Sequence, residues 1–166
     1  MSYQPYPTSG GEQLPQQRPP APPSVQTAVK LMYAGAALSA VGFIVGLATI
    51  GSLKQDIINA STKKLTASQL HAAEVFGIAT IVVIGLIGIG LWLWMARANG
   101  AGKSWARIVA AVLFGLNTLD LLAGVGRPGA IGTKIFEILG WLVGLGATVY
   151  LWRRDSSEFF AQARLR

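Results

Sequence analysis

Long apolar stretches alternate with short polar segments along most of the chain. The clearest apolar stretch covers residues 75–96, VFGIATIVVIGLIGIGLWLWMA, and contains no charged residue. A helix of about 20 such residues crosses the roughly 30 Å hydrocarbon core of a bilayer. A short basic segment then leads into a further apolar stretch that begins at Trp105. The pattern predicts a hairpin of two transmembrane helices.

Two more apolar stretches extend this hairpin to a predicted bundle of four spans. The predicted spans cover residues 31–51, 72–96, 105–125 and 135–152. Thr66 and Gln69 have the spacing of a capping box, which predicts a helix that begins near Ala67. Ser104 is the predicted N-cap of the third span. We therefore predict an all-α membrane protein built as a four-transmembrane-helix bundle.

Polar segments separate and flank these spans. Residues 1–24 hold seven of the eight prolines and almost no aliphatic side chains, so they are predicted to form a disordered Pro/Gln-rich cytoplasmic tail. The bundle then covers residues 25–154, with a polar loop predicted over residues 52–66. Residues 155–166 are predicted to form a short charged cytoplasmic C-terminal tail.

The distribution of basic residues predicts the orientation. Four spans place both termini on one side of the membrane. Eight basic residues flank the spans on that side: Lys30, Arg97, Lys103, Arg107, Arg153, Arg154, Arg164 and Arg166. Five flank them on the other: Lys54, Lys63, Lys64, Arg127 and Lys134. The positive-inside rule then predicts a multi-pass protein of a bacterial plasma membrane with cytoplasmic termini.

Composition agrees with a membrane protein. Charged residues make up 13% of the chain, against about 25% in typical soluble domains. The net charge of +7 raises the alternative of nucleic-acid binding. Because the basic residues lie at the ends of apolar stretches rather than along one helical face, no nucleic-acid partner is expected. The lipid bilayer is the expected partner.

Small residues recur at helical spacing in two of the spans. Gly42 and Gly46 form one GxxxG pair, and Gly140 and Gly144 form another. This spacing lets two helices approach closely, either within the bundle or between two copies of the chain. The predicted helix-packing residues therefore leave internal packing and a homodimer open as alternatives.

Ionisable residues inside the spans are the best candidates for function. The predicted polar intramembrane cluster comprises His71, Glu74, Asn117, Asp120 and Glu137. Such side chains are costly in lipid and usually face the bundle interior, where they could bind a cation or relay protons. The structural alternative is that Asn117 hydrogen-bonds Asp120, while Lys134 or Arg127 neutralises Glu137.

The other motifs favour no catalytic chemistry. One His and a few carboxylates make no convincing metal site, and no Ser/His/Asp spacing indicates hydrolysis. Gly100 to Ser104 resemble the end of a P-loop, but Arg97 replaces the first glycine and membrane spans flank the segment. We expect a turn there and no nucleotide. No catalytic residue, metal or cofactor is predicted.

Four segments carry a resemblance to a known group of proteins. They are QTAVKLMYAG at 26–35, TIGSLK at 49–54, GLWLWMARANG at 90–100 and LWRRDSSEFF at 151–160. With the Pro/Gln-rich leader, they resemble the small four-helix integral membrane proteins of actinobacteria, which are mostly uncharacterised. The resemblance implies a bacterial plasma membrane and cytoplasmic termini, and it implies no activity.

Two functions are therefore expected from different classes. The first is a non-enzymatic scaffold, accessory subunit or envelope-associated factor that packs against partner membrane proteins. The alternative is a small transporter or channel component that uses Glu74, Asp120 and Glu137 to bind a cation or proton. The absence of proline from the glycine-containing stretch 75–96 favours an unbroken helix, and therefore the first function.

Overall fold

Six α-helices account for most of residues 20–125 and 131–164, the part of the chain that the computed structural model describes. In chain order they are α1 (Pro23–Ala48), α2 (Ile50–Ala60), α3 (Ala67–Gly100), α4 (Ser104–Ala123), α5 (Ile131–Leu151) and α6 (Arg154–Arg164). The predicted disorder of residues 1–24 concerns mainly residues 1–19, which lie outside the described residues. The last residues of that predicted tail already belong to α1, which begins at Pro23, a favoured residue for the first helical turn.

Four of the helices are long and apolar enough to cross a membrane: α1, α3, α4 and α5. The predicted fold class is therefore confirmed, and the protein is an all-α membrane protein with a four-helix bundle. α3 begins at Ala67 as predicted, because the Thr66 side chain accepts from the Gln69 amide at 3.3 Å and the Gln69 side chain accepts from the Thr66 amide at 3.0 Å.

The helix boundaries correct two local predictions. Residues 50–60 form α2, which follows a break at Thr49; residues 52–60 were predicted to be loop and residues 50–51 to end the first span. The Thr49 hydroxyl bonds to the Val45 and Gly46 carbonyl oxygens, and such back-bonding competes with a regular helix. Ser104 is not the N-cap of α4: that position belongs to Lys103, and Ser104 is the first helical residue.

α1 is the central helix of the bundle. It packs against α3 on one side and α5 on the other, and α4 packs on α5. α4 also meets α3 next to the turn between them, where the rings of Trp94 and Trp105 lie 5.4 Å apart between centroids. We call the end of the bundle that holds the start of α1 and all of α6 the terminus end, and the opposite end the loop end.

The buried core lies at the terminus end. Each of α1, α3, α4, α5 and α6 contributes to one cluster, whose buried residues are Val25, Ala28, Met32, Met95, Ala96, Ala98, Ala106, Ala147, Leu151 and Phe160. Toward the loop end large apolar side chains point outward, for example Ile44, Phe76 and Leu119, each more than 60% exposed. Apolar surface of this kind on spans of membrane length suits contact with lipid.

Candidate functional site

A cavity of about 340 Å³ lies between the four spans. This volume falls in the range of small-molecule sites, which is roughly 300–1,000 Å³. Most of the wall is apolar, and three aromatic side chains contribute to it: Trp92, Phe114 and Phe136. The polar side chains in the wall are Ser39, Asn117, Glu137 and Thr148. Since all four spans contribute, the cavity exists only in the assembled bundle.

Contacts around Gly144 establish the relative heights of α3, α4 and α5. A Cβ atom built on Gly144 would lie 3.1 Å from Phe114 and 3.7 Å from Trp92. At 1.5 Å per residue, Glu137 lies about 10 Å from Gly144 toward the loop end. Asn117 lies about 4–5 Å from Phe114 in the same direction. The Glu137 carboxyl and the Asn117 amide therefore belong to the part of the cavity nearer the loop end.

The predicted polar cluster separates into three parts. Asp120 lies about 9 Å from the level of Phe114, close to the height of Glu137. Its side chain is exposed, as are those of Glu137 and Asn117, but it does not line the described cavity. Glu74 and His71 lie on α3 at least about 16 Å farther toward the loop end than Glu137. Only Asn117 and Glu137 share the cavity.

The structure bears in part on the structural alternative, in which Lys134 or Arg127 neutralises Glu137. Arg154 and Glu158, 3.5 Å apart, form the only salt bridge between described residues, so Lys134 does not pair with Glu137. Arg127 lies outside the described residues. Within residues 20–125 and 131–164, no three His, Asp or Glu side chains are grouped so that they could hold a metal ion.

The predicted packing glycines differ in what they contact. A Cβ atom on Gly46 would lie 3.2 Å from Ile81, and Gly144 is similarly close to Phe114. For Gly42 and Gly140 there is open space within 4 Å as far as the described residues show. Each GxxxG pair thus contributes one glycine to packing within the bundle, and the other faces outward or into the cavity.

The closest approaches between helices involve glycines that the GxxxG pattern did not indicate. Cβ atoms on Gly35 and Gly85 would collide with the rings of Trp92 and Phe43, respectively. In both cases an aromatic ring lies directly against the backbone of the neighbouring helix. Both glycines lie on spans that carry other small residues, so the sequence indicated that these helices could pack closely. The aromatic residue that faces each glycine is known only from how the helices pair.

At the terminus end α6 covers the bundle. Its Phe160 is 1% exposed and its Ser156 is fully buried, with the Ser156 hydroxyl 2.8 Å from the Ser24 hydroxyl. The Ser104 hydroxyl donates to the Phe160 carbonyl oxygen at 3.0 Å. Arg107 donates to the Ser157 hydroxyl at 3.2 Å. The segment predicted as a charged tail is therefore a helix attached to α1 and α4.

The glycine-rich turn that resembles the end of a P-loop supports this arrangement. Gly102 has φ of +72°, a left-handed conformation that favours glycine. A Cβ atom there would also lie 3.0 Å from the Phe159 ring of α6. Gly102 thus allows the tight connection between α3 and α4 and the close approach of α6.

Two side-chain atoms at the terminus end are buried without a hydrogen-bond partner among the described residues: Oδ1 of Asn99 and Nε of Arg107. The amide nitrogen of Asn99 donates to the Met95 carbonyl oxygen at 2.9 Å. The Arg107 guanidinium stacks over Trp152, with its carbon 4.8 Å from the ring centroid. Both side chains therefore have structural contacts that account for their positions.

Comparison with protein-family models, with curated proteins and with solved structures finds no significant match to this chain. The fold and the cavity define its class, an integral membrane protein with a four-helix bundle. The resemblance to small actinobacterial membrane proteins stays a prediction.

Proposed function

We propose that the protein is a non-enzymatic integral membrane protein that acts by associating with other membrane proteins, as a scaffold, accessory subunit or envelope-associated factor. The observation that carries this proposal is the position of Asp120. Its side chain is exposed on α4, three residues or about 4.5 Å from the last residue of that helix. In a membrane, an exposed carboxylate at this place on a span would face lipid or headgroups unless a partner covers it.

Most of the surface around Asp120 is apolar, although Asn117, one turn away, is also exposed. Leu116, one turn away on the same face, is 58% exposed, and the adjacent Leu119 is 63% exposed. A charged side chain among lipid-facing leucines is unfavourable, by up to about 2.5–3.5 kcal/mol at mid-membrane and by less near the interface. A partner helix that supplies a hydrogen-bond donor or a cation would remove this cost.

The proposal includes a bacterial plasma membrane as the location, with both termini in the cytoplasm. The excess of basic residues at the terminus end supports this orientation. The partner is another membrane protein or a second copy of the chain. For a second copy, Gly42 is available as a contact, because no described residue fills the space beside it.

Co-purification in mild detergent tests the proposal. We expect Asp120→Asn to lose the partner, or to shift a homodimer to monomer, while its melting temperature stays at that of the wild type. The matched control is Glu137→Gln, which removes a charge at a similar height from a side chain that lines the cavity, and it should retain the partner. Equal recovery of partner by Asp120→Asn and wild type would contradict the proposal.

The cavity favours a second candidate function, a small transporter or channel component that binds a cation or proton. The geometry supports a binding site formed by Glu137 and Asn117, without Glu74. A wild-type melting temperature that rises with sodium, calcium or a defined pH step, and a Glu137→Gln variant that does not respond, would support this function. An equal response of both proteins would count against it.

A further inference from the structure

The wall of the cavity combines one carboxyl group with an extensive apolar and aromatic surface. Glu137 is the only charged side chain among the described lining residues, and Asn117 adds an amide near it. Trp92, Phe114 and Phe136 contribute aromatic rings to the same wall. Aromatic faces attract cations within about 6 Å of the ring centroid. Phe136, adjacent to Glu137 on α5, is the candidate for such a contact, whereas Phe114 and Trp92 lie about 10 Å from the level of Glu137 and offer apolar surface.

This combination is poorly suited to a bare metal ion. Calcium takes six to eight oxygen ligands, and magnesium retains an octahedral shell that includes several waters. The cavity offers the oxygens of Glu137 and Asn117 and the hydroxyls of Ser39 and Thr148, spread over α1, α4 and α5. The apolar remainder of the wall cannot replace the hydration shell that such an ion would lose.

The same wall is poorly matched to a purely apolar occupant such as a lipid acyl chain. An apolar group beside Glu137 and Asn117 would cover part of two exposed polar side chains and return no hydrogen bond, which is unfavourable. A molecule that carries a positive charge at one end and an apolar body at the other satisfies both parts of the wall. It also fits the volume of about 340 Å³.

We propose that the cavity between the four spans binds a small organic cation, a quaternary or protonated ammonium group attached to an aromatic or alkyl body. The ammonium group lies at the Glu137 carboxylate near the loop end. The apolar body extends past Phe114 and Trp92 toward the terminus end. This inference specifies the ligand of the second candidate function, and it rests on the cavity being a binding site.

Calorimetric titration of the full chain in nanodiscs tests the inference, with empty nanodiscs as the blank. The probe is benzyltrimethylammonium, and its neutral carbon isostere is neopentylbenzene. We expect wild type to bind the cation more tightly than the isostere. Glu137→Gln should weaken binding of the cation by about tenfold or more and leave binding of the isostere unchanged. The control Glu158→Gln, which makes the same change on α6 away from the cavity, should bind the cation as wild type does.

A second variant covers the case in which Glu137→Gln does not fold, which its melting curve would show. Phe136→Leu keeps the wall apolar and removes one ring. We therefore expect it to weaken binding of the cation by about three- to tenfold and binding of the isostere by less. Equal affinity of wild type for the cation and the isostere would show that the cavity does not recognise the positive charge, and it would overturn the inference. Absence of cation binding by wild type would overturn it as well. If inorganic ions or protons stabilise wild type while the organic cation does not bind, the inference fails and the second function stands.

Discussion

At the residue scale, glycine determines how closely α1 and α3 pack. A Cβ atom on Gly35 would lie 2.8–2.9 Å from three atoms of the Trp92 ring, inside the contact distance of real Cβ atoms. We expect Gly35→Ala to lower the free energy of unfolding by about 1–3 kcal/mol, because the ring has to move within a packed region. Thermal melting in detergent measures this loss.

Gly42 on the same helix provides the matched control. The space where its side chain would be is open as far as the described residues show, and alanine is about 1 kcal/mol more favourable than glycine in a helix interior. Gly42→Ala should therefore melt at or above the wild-type temperature. If the two variants melt at the same temperature, the contact between Gly35 and Trp92 does not carry the energy assigned to it.

The glycines also show how far sequence predicts a site residue. The GxxxG spacing selects residues that share one helix face, but it does not say which helix that face meets. Gly144 contacts Phe114, whereas Gly140 faces the cavity, although both belong to one pair. Likewise, Glu137 and Glu74 were predicted to share a cluster, and only the register between α3 and α5 shows the distance between them.

At the scale of the helical element, α6 stabilises the terminus end. Phe160 is 1% exposed and belongs to the core cluster, whereas Glu158 on the same helix forms only an exposed ion pair with Arg154. We expect Phe160→Ala to weaken the attachment of α6 by about 3–5 kcal/mol. Trypsin should then cleave the chain after Arg153 and Arg154 faster than in the wild type.

Glu158→Ala is the control for that experiment. Exposed ion pairs contribute at most about 1 kcal/mol, so the control should be cleaved at nearly the wild-type rate. Faster cleavage of both variants would mean that α6 is held by its charges, and an unchanged rate for Phe160→Ala would mean that it is not held by its core contact.

The pattern of apolar residues predicted the four spans because each span must be apolar over its whole length. The shorter helices α2 and α6 carry no such requirement, and their mixed composition is typical of loops and tails as well as of helices. Phe159 and Phe160 suggest that residues 155–166 have an apolar side. However, the surface that receives them is assembled from α1 and α4 and cannot be derived from the local sequence.

At the scale of the whole molecule, the protein is a bundle of four spans with the start of α1 and all of α6 at one end. The cavity, the position of Asp120 and the orientation all depend on it. Since the chain contains no cysteine, single cysteines can be introduced one at a time without a background of labelling. Thr62, Ala101 and Gln162 are exposed positions in the segment after α2, in the turn between α3 and α4, and in α6.

Labelling of Thr62→Cys, Ala101→Cys and Gln162→Cys in intact cells with a membrane-impermeant maleimide tests this claim most directly. We expect the reagent to modify Thr62→Cys in intact cells and the other two variants only after permeabilisation. The reverse pattern would retain the four spans and contradict the cytoplasmic orientation of the termini. Modification of Ala101→Cys and Gln162→Cys from opposite sides of the membrane would contradict the four-span bundle itself.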